Sequence, residues 1–228
     1  MTARIGLTPV LFAAMALVGC SHDAPAPVPD AKPAAVKIKD TRPAIVIFGD
    51  SLSAGYGLDP GQSYPDHLQE LLDDKGYAYR VVNQGLSGDT TTGGLARVDQ
   101  AVAVKPVIAL VELGGNDGLR GTPVAITRSN LEKIVERFQA GGAQVVLAGM
   151  TLPRNYGDDY IKEFDRIYPE LARKYNVPLI PFLLAGLAST EGMVPGMIQQ
   201  DGIHPTAKGT PMIARTVMAT LEPLLKTK

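Results

Sequence analysis

Five short apolar runs, separated by amphipathic stretches, limit this sequence to very few folds. The runs are Ala44–Phe48 (AIVIF), Tyr79–Asn83 (YRVVN), Val107–Leu113 (VIALVEL), Gln144–Ala148 (QVVLA) and Pro178–Phe182 (PLIPF). Continuous apolar character with β-branched residues reads as buried strand. Between the runs, Ser63–Lys75 places Leu68, Leu71 and Leu72 at i, i+3, i+4 and stops at Gly76. Pro123–Ala140 carries Ile126, Leu131, Ile134, Val135 and Phe138 toward one face and ends at Gly141-Gly142. Tyr160–Tyr175 has near-helical apolar spacing, with a kink expected at Pro169. Thr206–Leu225 closes the chain as a last helix. Such alternation predicts an α/β domain on a mostly parallel five-stranded sheet. In such sheets ligands bind beyond the carboxyl ends of the strands. Any proposed site must therefore follow strands.

The first 43 residues do not share this pattern. Arg4 precedes an apolar stretch, Ile5–Val18, shorter than the roughly 20 residues of a membrane span. It has the form of a secretory signal. Its end, Leu17-Val18-Gly19-Cys20, resembles the bacterial lipobox, in which cleavage precedes an acylated cysteine. Cys20 is the only cysteine, so no intramolecular disulfide can form. Residues 21–43 contain five prolines and many alanines and read as a semi-stiff tether. The expected organisation is a signal over 1–19, a tether over 20–43 held by a lipid on Cys20, and one folded domain over 44–228. Ser21 after the cysteine suggests sorting to the outer membrane, with the domain in the periplasm. A net charge of −1 with no basic cluster gives no signal for nucleic acid. The domain is expected to act as a monomer.

Four segments follow strands or precede the closing helix: Gly49-Asp50-Ser51-Leu52-Ser53, Gln84–Thr91 (QGLSGDTT), Gly114-Gly115-Asn116-Asp117 and Asp201-Gly202-Ile203-His204-Pro205. A hydroxyl attacks an ester when a base removes its proton and fixed donors stabilise the oxyanion. Ser51 is the candidate nucleophile and His204 the candidate base. Asp201 can take the imidazole Nδ1–H. The backbone N–H groups of Ser51 and Gly88 and the side-chain amide of Asn116 are candidate oxyanion donors. Each segment alone is ordinary turn chemistry. Their joint occurrence, in this order and at these places, points to catalysis.

GDSLS, NQGLSGDTT, GGND and DGIHP resemble the four consensus blocks of SGNH (GDSL) hydrolases. The likeness continues through GGLARV, VELGGNDGLRG and LAGMTLPRNYG, and is similar to the multifunctional thioesterase/lysophospholipase/arylesterase branch over roughly Ile45–Leu225. The resemblance implies a three-layer flavodoxin-like sandwich. It implies a Ser51–His204–Asp201 triad with Gly88 and Asn116 in the oxyanion hole. It also implies hydrolysis of small acyl esters or thioesters without metal or organic cofactor. Gly118–Pro123 is then expected to cover the acyl chain, with Leu119, Leu152, Pro153 and Tyr156 as apolar neighbours. A carbohydrate O-acetyl esterase is the alternative enzyme, and a catalytically dead binding protein on the same fold is the rival from another class.

Other motifs are weaker. Gly55–Pro60 begins like a dinucleotide fingerprint but ends in proline, and Gly88–Gly93 lacks the Lys-Ser/Thr of a P-loop. His22, His67 and His204 are far apart and unsupported by cysteines, which disfavours zinc. His67 is expected on the exposed or half-buried side of the first helix. Asp50 reads as a turn carboxylate, Ser53 as helix-start chemistry and Asp117 as a cap for the following turn.

Overall fold

The computed structural model describes residues 40–189 and 192–226. The signal segment, Cys20 and most of the tether lie outside the described residues. Along the chain run β1 (Ala44–Gly49), α1 (Ser51–Ala54), α2 (Tyr64–Asp74), β2 (Arg80–Gly85), α3 (Thr91–Val102), β3 (Ile108–Glu112), α4 (Gly115–Leu119) and α5 (Val124–Ala140). They are followed by β4 (Gln144–Ala148), α6 (Asp158–Asp165), α7 (Ile167–Tyr175), β5 (Leu179–Ile180), the short pair β6 (Ala188–Ser189) and β7 (Gly192–Met193), and α8 (Thr210–Leu221).

The main sheet has the order β2-β1-β3-β4-β5, and all its pairings are parallel. This is the flavodoxin-like order, whose direction of winding reverses between β1 and β3. The reversal opens a crevice at the carboxyl ends of those two strands. Asp50-Ser51 follows one and Gly114–Asn116 follows the other.

Strand periodicity builds the two flanking layers. Ile45 and Ile47 point to one face, where they pack with Leu68 and Leu72 of α2 and Val217 and Leu221 of α8. Val46 and Phe48 point to the opposite face, with Val98 of α3 and Leu131, Ile134 and Phe138 of α5. Both faces of β1 are therefore buried, which is why its run is continuously apolar rather than alternating. Each fully buried Leu, Ile or Phe contributes about 1.5–3 kcal/mol. Truncating Phe138, which meets Phe48 edge-on at 5.4 Å, should cost roughly 3–5 kcal/mol.

Local chemistry sets the helix boundaries. Ser63 caps α2 through a reciprocal capping box with Asp66, and Pro65 sits in the first turn. In α5, Ile126 is exposed instead of joining the apolar face; Val124 and Thr127 are buried in its place. The expected single helix over Tyr160–Tyr175 is broken into α6 and α7 at Arg166. Pro169 has no N–H for the Asp165 carbonyl and its ring crowds that group, so the helix ends there. The closing helix starts at Thr210 and not at Thr206, with Pro211 in its first turn. Helix α3 is not evident from apolar spacing, because Gly93 and Gly94 lower its propensity. Both glycines are required by contact: a Cβ on Gly93 would run into the Asp89 carboxylate, and one on Gly94 into Leu113.

Candidate active site

Asp50 follows β1 and caps α1, its Oδ1 accepting from Leu52 N–H at 3.1 Å. This turn puts Ser51 at the first position of a one-turn helix over the crevice. His204 arrives from the far end of the chain. Its loop is pinned by Gln199 N–H to the His204 carbonyl (2.7 Å) and Thr206 N–H to the Met197 carbonyl (2.9 Å). Gly202 has φ +75°, a conformation that favours glycine and lets Asp201 turn back on the chain. Asp201 Oδ1 then accepts from the N–H groups of Ile203 (2.9 Å) and His204 (3.0 Å). Its Oδ2 lies 2.6 Å from His204 Nδ1. On the other side of the ring, Nε2 lies 2.8 Å from Ser51 Oγ. Desolvation raises the Asp201 pKa, but the His204 and Ile203 N–H donors and the imidazole outweigh it and hold the carboxyl at about 2. Asp201 is therefore an anion throughout the neutral range and fixes Nδ1 as the protonated nitrogen, leaving Nε2 free to accept from Ser51.

The two remaining segments follow β2 and β3. Asn116 lies in α4, and its Nδ2 donates to Asp50 Oδ2 at 3.0 Å. Gly88 sits on the loop after β2 with φ +79°; its carbonyl accepts from Arg120 at 2.9 Å. The loop is held close to β1 by Leu86 N–H donating to the Gly49 carbonyl. Ser53, two positions from Ser51, is fully buried and bonded to Glu112 and Tyr64, so it is not available as a nucleophile. Asp117 does not cap the turn that follows it. Its carboxylate accepts from Thr91 N–H (2.8 Å) and Thr91 Oγ (2.6 Å) and so caps α3 across the crevice. That carboxylate occupies the helix terminus that the Gly88–Gly93 motif would need for phosphate. His67 is half-buried on α2 and pairs with Glu70 at 2.8 Å.

A cavity of about 360 Å³ opens beside Ser51, Asn116 and His204. Leu119, Leu152 and Pro153 line it, together with Met150, Thr151, Phe182, Leu184, Met193 and Ile203. Tyr156 does not; its hydroxyl donates to the Leu119 carbonyl at 3.0 Å and holds that residue in place. Leu119 is the one member of Gly118–Pro123 that lines the cavity. Of the walls missed from sequence, Met150 and Thr151 follow β4 and Phe182 and Leu184 follow β5, where the rule about strand carboxyl ends would have found them, while Met193 lies in β7 and Ile203 in the His204 loop. The exposed Tyr56 ring lies 4.6 Å from the His204 ring at the mouth.

The GDSL-like lipase/acylhydrolase family profile matches residues 47–210. The chain belongs to this family. It is 46% identical to the esterase TesA of Pseudomonas aeruginosa, over 79% of this chain and 89% of that protein. It is 40% identical to an arylesterase of Vibrio mimicus, over 78% and 87%. It is also 40% identical to thioesterase 1/protease 1/lysophospholipase L1 of Escherichia coli, over 79% and 84%. A crystal structure of TesA, 45% identical, superposes with a TM-score of 0.75 over 80% of this chain and 99% of that one. The five-stranded parallel sandwich is thus the architecture of this hydrolase family, and the chain is a hydrolase of it.

Proposed function

We propose that the protein is a serine esterase and thioesterase that cleaves small acyl esters through an acyl-enzyme, in the manner of arylesterases, lysophospholipases and acyl-CoA thioesterases. One observation carries this: the Ser51 Oγ–His204 Nε2–Asp201 line at 2.8 and 2.6 Å opens onto an apolar cavity. Ser51 Oγ attacks the acyl carbonyl carbon while its proton passes to His204 Nε2. The resulting oxyanion is met by the N–H groups of Ser51 and Gly88 and by the Asn116 amide. Collapse expels the alcohol or thiol, which takes the proton from Nε2 and leaves an acyl ester on Ser51. Water then repeats the sequence, giving its proton to His204 and releasing the carboxylic acid. Asp201 remains ionised throughout and stabilises the imidazolium. An intact triad disfavours the binding-protein reading. The apolar walls favour an acyl chain over the acetyl group of a decorated glycan.

No described helix is long and apolar enough to cross a membrane. The Leu-Val-Gly-Cys sequence ahead of a proline-rich segment supports a periplasmic domain tethered through a lipid on Cys20, held in the outer membrane. A p-nitrophenyl ester series from acetyl to palmitoyl, run beside an acyl-CoA and a lysophospholipid, tests the activity. Turnover confined to acetyl esters would favour the glycan esterase.

A further inference from the structure

Glu112 is the last residue of β3 and is fully buried at the centre of the sheet. Neither the triad nor the oxyanion donors use it. Its Oε2 accepts from Asp50 N–H (3.2 Å) and Ser53 Oγ (2.6 Å), and Ser53 Oγ in turn lies 2.8 Å from the Tyr64 hydroxyl. Its Oε1 has no donor among the described residues. A buried carboxylate with an empty oxygen is costly, whereas a neutral acid carries a proton there and needs an acceptor. Asp50, whose backbone N–H meets the other Glu112 oxygen at 3.2 Å, brings the neighbouring buried carboxylate that can accept it. Asp50 is itself buried and receives two donors, Leu52 N–H and Asn116 Nδ2. Each Asp50 oxygen has a donor, Leu52 N–H on Oδ1 and Asn116 Nδ2 on Oδ2, whereas one Glu112 oxygen has none, which marks Asp50 as the ionised member.

We infer that Glu112 is a positioning residue for the oxyanion hole: as a neutral acid it donates its Oε1 proton to the Asp50 carboxylate, which in turn fixes the Asn116 amide. This rests on the proposed role of Asn116 and extends it. One N–H of that amide is committed to Asp50, so the other has a fixed direction. Two carboxyls this close cannot both ionise in a buried site, and they share one proton. Burial, and then the charge of Asp50, push the Glu112 carboxyl well above the usual range. Burial raises Asp50 to about 6, against the pull of Leu52 N–H, Glu112, Asn116 and the nearby His204. The Tyr64 hydroxyl meets Ser53 Oγ and the Tyr168 hydroxyl donates to the Leu113 carbonyl, and burial keeps both protonated. Gly49 is where Glu112 enters: a Cβ there would occupy the space of its Oε2. That close approach gives the glycine of GDS a physical role.

The test is steady-state hydrolysis of a medium-chain p-nitrophenyl ester by Glu112→Met, Glu112→Gln, Asn116→Ala and the Glu112→Met/Asn116→Ala pair, with thermal melts of each. Glu112→Met keeps the volume but removes the donor; kcat should fall on the order of tenfold or more at unchanged KM, bounded by the roughly 10²–10³ of a lost oxyanion donor. Glu112→Gln supplies both an acceptor and a donor and should restore most of that loss. The pair should be no slower than Asn116→Ala alone, because both changes act through one amide. Full additivity, a folded Glu112→Gln variant with strongly lowered kcat, or a Glu112→Met variant with wild-type kcat would each overturn the inference while leaving Asn116 in place. Wild-type turnover by Asn116→Ala alone would overturn the oxyanion reading and this inference with it.

Discussion

His204 Nε2 stands 2.8 Å from Ser51 Oγ although 153 positions separate the two residues in the chain. The contact is made because β1 delivers Ser51, and the loop before α8 delivers His204, to the same end of one sheet. His204→Ala should therefore remove most activity, whereas His67→Ala, half-buried on α2 and paired with Glu70, should not. Asp201→Asn leaves the shape of the loop but offers the imidazole the wrong partner. Its kcat should fall by about 10⁴, the size seen when a triad aspartate is neutralised.

Asp201 also links the site to stability. Its folded-state carboxyl is held at about 2, below its ordinary value of 3.8. A depressed acid stabilises the fold fully above its unfolded value and loses that contribution as pH falls through the folded one. Melts of wild type and Asp201→Asn should differ most at neutral pH, and the gap should close between about pH 4 and pH 2. A gap that widens with acid would contradict the ion-pair geometry.

Asn116 is expected to act in the transition state. Its amide meets charge that exists only after attack, so its loss should appear in kcat and leave KM unchanged. Asn116→Ala should lose roughly 10²–10³ in kcat. Asn116→Asp, nearly isosteric but anionic at neutral pH, should be at least as damaging. Melts of both variants separate this from a turn role, which would instead lower stability and spare turnover in the folded fraction.

The cavity should read acyl length. Each methylene taken from water is worth about 0.8 kcal/mol, or about fourfold in kcat/KM, as an upper bound. Specificity should climb from acetyl until the space of about 360 Å³ is filled. Met193, 40% exposed at the cavity, should matter for long chains alone: Met193→Ala should flatten the climb and spare the acetyl ester. A series that peaks at acetyl would contradict the acyl-chain reading.

Cys20 should carry the lipid. The intact mass of the mature protein should correspond to a chain beginning at acylated Cys20. Cys20→Ser should yield unprocessed precursor or a soluble form, either with full esterase activity. A mature wild-type N-terminus at another residue would refute the anchor.

The sequence carried the sheet well because β1, β3 and β4 are buried on both faces along nearly their whole length and are therefore almost continuously apolar. It pointed to Ser51, Asp201 and His204, whose side chains the structure places within hydrogen-bond distance, because each lies in a short turn next to a strand or helix end, where local spacing has meaning. It concealed α3, whose glycines at 93 and 94 answer contacts with Asp89 and Leu113 that no local pattern encodes. It misplaced Ile126 because one apolar residue in a first turn can face solvent without harm. The roles of Asp50, Ser53 and Asp117 depend on partners up to 66 positions away, so turn chemistry alone underestimated them. Glu112 had left one sign, a charged residue closing an otherwise apolar strand.

The central claim is that Ser51 is the nucleophile of an acyl-enzyme. A fluorophosphonate reacts with an activated serine as an ester does, and peptide mass spectrometry locates the adduct. The account predicts a single adduct on Ser51, no labelling of Ser51→Ala, and a kcat for that variant lower by on the order of 10⁴ or more. An adduct on Ser53 or Ser87, or a Ser51→Ala enzyme that still turns over, would contradict it.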